Sequence, residues 1–128
     1  MNVVDISGVS VVSDAEALET VLMKRSAEGS NSFWLSHEGH EYPMLSVLVK
    51  HDLATLNYLP KECDAGFRSV GGTALKPGET TAFSITRNRA DDVAVLNDAV
   101  VPFSAALRAA EEFFLSGTLP ESIEWLRL

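Results

Sequence analysis

The sequence is poor in the residues that most protein chemistry needs. One cysteine, Cys63, stands in 128 residues, which excludes an internal disulfide framework and fits a reducing compartment. Bases are scarce too: ten Lys and Arg against eighteen Asp and Glu leave a formal charge of −8 and a sequence pI near 4.7. Nucleic acid and anionic membrane are poor partners for such a surface, whereas a basic protein would be steered toward it. Solubility alone is the plainer account of the same charge. No apolar run approaches the ~18 residues of a membrane span. The start, MNVVDISGV, has an acid where a secretion signal has bases, so a cytoplasmic location is expected. No G-x-S-x-G, no G-x-G-x-x-G, no phosphate-loop lysine, no internal repeat and no linker-like tract occur, and the length suits one domain, 1–128.

What is there is an ordinary globular pattern, organised around its last 29 residues, VVPFSAALRAAEEFFLSGTLPESIEWLRL from Val100 to Leu128. Pro102 stops a strand, Ser104 is a suitable N-cap and Gly117 a suitable C-terminal residue, so the spacing predicts a helix over Ser104 to Ser116. Phe103, Ala106, Leu107, Ala110, Phe113 and Phe114 share its apolar side, with Arg108, Glu111 and Glu112 opposite. Two alanines and a Phe pair suit packing on a β-sheet. The tail adds Leu119, Ile123, Trp125, Leu126 and Leu128, and Trp125 is expected against the core.

Earlier in the chain, residues 2–12 read as an opening strand interrupted at Gly8, and Ser13-Asp14-Ala15-Glu16 has capping-box spacing, predicting a first helix from about Asp14 to Glu28, ended by Gly29. Phe33-Trp34-Leu35 is a short strand, residues 37–41 a hairpin turn, Tyr42 to Lys50 a central strand and Leu53 to Leu59 a third, stopped by Pro60. Lys61 to Gly72 reads as loop, with Phe67 an isolated aromatic. Thr80 to Arg87 and Val93 to Val101, the latter broken at Asn97-Asp98, read as further strands. The fold class that follows is α+β: a mainly antiparallel, twisted sheet with an N-terminal and a C-terminal helix packed on it.

The candidate chemistry is thin. His37 and His40 lie three apart beside Glu38 and Glu41, with Cys63 further on, but H-E-G-H-E on a turn is not the helix-borne metal motif. Glu62-Cys63-Asp64 disfavours a thiolate. Asp91-Asp92 and Glu111-Glu112 read as solvated pairs, and Arg87 with Arg89 is too sparse for nucleic acid. No catalytic residue, metal or cofactor is expected. Recognition remains: Glu38, Glu41, Asp52, Glu62 and Asp64, with Tyr58 and Phe67, form a candidate acidic-aromatic surface for a basic partner. The competing reading makes Tyr58 and Phe67 core residues and the acids scattered.

Phe33-Trp34-Leu35, Tyr42-Pro43-Met44-Leu45 leading into Val47–Lys50, Asp52 with Ala54–Tyr58, and Gly71-Gly72 recur in order with Val100-Val101-Pro102, Phe113-Phe114 and Leu119-Pro120-Glu121…Ile123-Glu124-Trp125. With these the chain resembles an immunity-protein family of bacterial polymorphic-toxin systems, found with deaminase toxins and including inhibitors of double-stranded-DNA cytosine deaminases. The resemblance implies a small non-enzymatic α+β protein, monomeric and cytoplasmic, that binds a basic deaminase-type toxin domain and occludes its active site or substrate surface. It carries over scaffold positions, not contact residues. Two other classes stand beside it. One is a small-molecule-binding or enzymatic domain with a site near the 61–72 loop, the other a homo-oligomer using an exposed sheet face.

Overall fold

The computed structural model describes residues 1–26 and 28–128. The chain opens not with one strand but with a hairpin of β1 (Asn2–Asp5) and β2 (Gly8–Val11). Asp5 makes the turn, its Oδ1 accepting from the N–H groups of Ser7 (2.7 Å) and Gly8 (2.9 Å), as short acidic side chains do in tight turns. Helix α1 (Ala15–Leu22) follows, so the first helix comes after a strand pair and not at the N-terminus. Its cap is Asp14 and not Ser13: Asp14 Oδ1 accepts from Ala17 N–H at 2.7 Å, satisfying one of the unpaired donors of the first turn. It also stops short of the expected Glu28. Residues 24–26 are already non-helical, with the Lys24 carbonyl taken by the Asn31 side chain at 3.1 Å, and position 27 lies outside the described residues.

Three long strands then form the middle of the sheet: β3 (Ser30–Ser36), β4 (Met44–Lys50) and β5 (Leu53–Leu59). Their alternation has the physical reason expected of it. The cross-strand rows Phe33–Val47–Leu56 and Leu35–Leu45–Tyr58 point to one face and are buried there, because successive strand residues point to opposite sides.

Beyond Pro60 the stretch read as loop contains β6 (Phe67–Ser69), which pairs with β5, so Phe67 is a strand residue. β7 (Thr80–Phe83) is shorter than the expected Thr80 to Arg87 and makes a separate two-stranded ribbon with β8 (Val93–Leu96). A short 3-10 turn at Asn97–Ala99 breaks the next run, and β9 (Val100–Pro102) returns to the large sheet beside β5.

Helix α2 (Phe103–Ser116) begins at Pro102, which contributes no side-chain cap, so Ser104 lies inside the helix and not at its cap. Gly117 closes it with φ +68° and its N–H on the Phe113 carbonyl at 2.8 Å, a conformation that costs glycine little. The tail ends as β10 (Trp125–Arg127) on β6. The result is a mixed α and β fold with an eight-stranded sheet ordered β10-β6-β5-β4-β3-β1-β2, β9 joining at β5, and all ladders among the described residues antiparallel.

The two faces of the sheet are used differently. On one, α1 supplies Leu18, Val21 and Leu22 and α2 supplies Ala106, Ala109, Ala110 and Phe113 to a core with Phe33, Leu45, Val47 and Leu56. Trp125 packs at its margin, its Nε1–H donating to the Pro120 carbonyl at 2.7 Å. The other face carries a smaller core of Leu48, Phe83 and Val100, under the β7–β8 ribbon. That ribbon covers only the part of the face nearest the β4–β5 turn.

Candidate functional site

The antiparallel register decides which acids stand together. Met44 opposes Leu59 and Lys50 opposes Leu53, so the 37–43 connection and the 60–66 loop leave the sheet at one end and the 51–52 turn at the other. Glu38, Glu41 and Glu62 are exposed at the first end. Asp52 is exposed at the second, about 20 Å away along a seven-residue strand, where its carbonyl accepts from Phe103 N–H at 2.7 Å. The structure therefore does not bring Asp52 into the group.

Asp64 is at the right end but is engaged within the fold. Arg127 grips it with two bonds, Nη1 to Oδ1 at 2.6 Å and Nη2 to Oδ2 at 3.1 Å, and Gly66 N–H donates to Oδ1 at 2.7 Å. The two aromatics are not free anchors either. Tyr58 is only 7% exposed, its ring 6.1 Å from both Phe67 and Phe113, and Phe67 is half-buried beneath the Arg127 guanidinium, 4.8 Å above its ring. Tyr58 belongs to the helix-side core and Phe67 packs against it. Of the seven candidates, three exposed carboxylates at one end of the sheet remain available to a partner.

The histidines and the thiol do not converge. His37 Nε2–H donates to the Phe114 carbonyl at 3.1 Å and its ring lies 5.2 Å from that of Phe113, so it caps the last turn of α2, where a donor is wanted. His40 and Cys63 are exposed. No group of three or more His, Cys, Asp or Glu placed to hold a metal occurs among the described residues. Beside the 61–72 loop lies a depression of about 240 Å³ lined by Val70, Gly71, Gly72, Asn97 and Asp98 among others; Asp98 is its one titratable lining residue. Among the described residues no helix is long and apolar enough to cross a membrane.

Against this geometry the comparison with protein families is decisive: the model of "Immunity protein Imm1" matches residues 10–127. The chain belongs to the Imm1 immunity protein family. It is also similar to a "Double-stranded DNA deaminase immunity protein" of Burkholderia cenocepacia (strain H111), with 28% identity over 124 residues and 97% of each chain covered.

Two features of this Imm1 protein lay beyond sequence reading. Trp34 and Val4 sit side by side across β1 and β3 on the face away from the helices, a pairing visible only with the register. Arg127 meets Asp64 from 63 residues away. That pair makes a pH prediction. The bonds from Arg127, then from Gly66, hold the Asp64 carboxyl below the usual carboxylate range. A lowered folded-state pKa adds stability that is complete above the unfolded value of ~3.9 and is lost as pH falls through the folded one. Asp64→Asn is thus expected to unfold more easily than the wild type in urea at pH 7, with the gap narrowing as the pH falls below the unfolded value of ~3.9.

Proposed function

We propose that residues 1–128 work as one immunity domain that neutralises a cognate deaminase-type bacterial toxin. It does so by binding the toxin one to one and occluding its active site or substrate surface, with no covalent chemistry of its own. The observation that carries this reading is the family match along residues 10–127; the similarity to a protein named for immunity to a double-stranded DNA deaminase supports the class of toxin. The acid surplus supports a basic partner: a chain of net charge −8 attracts the positive surface that an enzyme acting on nucleic acid presents. The protein acts as a monomer in the cytoplasm of the toxin-producing cell.

The test is association with the toxin domain encoded beside it, measured by biolayer interferometry at two salt concentrations. A one-to-one complex is expected whose association rate falls about tenfold or more between low and high salt, while dissociation changes little. Failure to bind at micromolar concentrations ends the proposal.

A further inference from the structure

The helix-free face of the sheet is only half covered, and its open half has the make-up of an interface. Register places Val9, Val4, Trp34, Ser46 and Asn57 in one row across β2, β1, β3, β4 and β5, a row about 19 Å long at the ~4.8 Å spacing of strands. Their sequence neighbours Val3, Phe33, Leu35, Leu45, Val47 and Leu56 fill the helix-side core, so this row must point away from it. Val9 is 70% and Val4 42% exposed, while Ser46, between Trp34 and Asn57, is covered. Trp34 is half-buried, and so are Met44 and Leu59 in the next row toward the acidic end. None of these three belongs to either hydrophobic core.

Resting on the immunity reading above, we infer that the toxin domain docks on this open face, with Trp34 as central anchor. The carboxylates of Glu38, Glu41 and Glu62, on the two loops that leave the sheet beside Met44 and Leu59, form the rim on one side. An apolar, aromatic centre with charge confined to its edge is the anatomy of a specific protein interface. The complementary occupant is a protein face with apolar groups bordered by Lys and Arg. A second copy of this chain is the other occupant such a face could take, since a two-fold contact sets the same patch against itself, and the oligomeric state of the wild-type chain separates the two. A depression of about 480 Å³, lined by Lys24, Arg25 and Arg87 among others, carries the opposite charge and opens at the far end of the sheet. The groove between His40, Tyr42 and Leu115 runs along the end of α2.

The experiment measures affinity for the toxin domain encoded beside this protein by calorimetry, with variants on both sides of the molecule. Val9→Arg, on an exposed edge-strand position, is expected to melt within a few degrees of the wild type and to bind at least ~30-fold more weakly. Trp34→Ala is expected to lose ~30-fold or more, the effect of removing a central aromatic anchor. Leu115→Asp, at a side chain 79% exposed on α2, is expected to bind as the wild type does. Wild-type binding with Val9→Arg and Trp34→Ala unaffected overturns the docking face and leaves the immunity reading standing. Loss of binding in Leu115→Asp alone moves the interface to the α2 groove and equally overturns it. A wild-type chain that runs as a dimer, dissociated by Val9→Arg, overturns it in favour of a second copy. No binding by the wild-type chain overturns both.

Discussion

Phe113→Ala is expected to lower the free energy of unfolding by about 3–5 kcal/mol, the usual loss for a large aromatic removed from a closed core. Phe113 is 0% exposed, meets Tyr58 edge-on at 6.1 Å and carries the His37 ring at 5.2 Å. Its neighbours on the buried side of α2 are Ala106, Ala109 and Ala110, too short to reach into the space it would leave. Since domains of this size are stable by only ~5–15 kcal/mol, the loss is a large share of the whole. Urea unfolding measures it, with Phe113→Leu as the control that keeps most of the volume and is expected to lose less than about 1.5 kcal/mol. Equal losses in the two variants would contradict the packing described.

Gly66→Ala is expected to cost about 2–4 kcal/mol, from a disfavoured backbone and a collision together. Gly66 has φ +78°, and a Cβ there would run into the Tyr58 carbonyl oxygen and lie 2.8 Å from Leu59 Cδ2. The residue is also tied by its own groups, its N–H to Asp64 Oδ1 and its carbonyl to Leu128 N–H at 2.9 Å and Arg127 Nη1 at 3.0 Å. Gly78 separates the two contributions. It has φ +81° but nothing within 4 Å of the position a Cβ would take, so Gly78→Ala is expected to cost only ~1–2 kcal/mol. Thermal unfolding of the pair tests the difference, and a Gly66→Ala melt no lower than that of Gly78→Ala would contradict it.

The sequence was legible where local signals and burial agree. The alternation of β4 and β5, the stop at Pro60 and the glycine end of α2 all follow from rules that act within a few residues. It was illegible where a residue's state depends on a partner far along the chain. β6 and β10 are three residues each, too short to announce themselves. They exist because Trp125 to Arg127 supplies the ladder that Phe67 to Ser69 needs. The same long-range contact hides Phe67 under Arg127 and takes Asp64 out of the exposed acids. α1 shows the complementary failure. Its capping residue is Asp14, one position after Ser13, and the chain just beyond its end is held by Asn31 of the next strand, whose side chain donates to the Lys24 carbonyl, a contact no helix pattern reports.

The candidate surface was legible as a charge and illegible as a place. Glu38, Glu41 and Glu62 stand at one end of the sheet, while Asp52, on the turn after the same central strand, stands at the other. Register alone separates them. Trp34 was visible as a strand aromatic, but its orientation, opposite to Phe33 and Leu35, needed the neighbouring strands to say which face the helices had taken.

The central claim is that this Imm1 protein silences its toxin by stoichiometric cover, performing no reaction. Titrating it into a fixed concentration of the toxin domain encoded beside it, with that domain's own activity as the readout, tests that directly. Activity is predicted to fall in a straight line and reach zero at one equivalent. Full activity in the presence of excess protein, or complete inactivation by a small fraction of an equivalent, would contradict it.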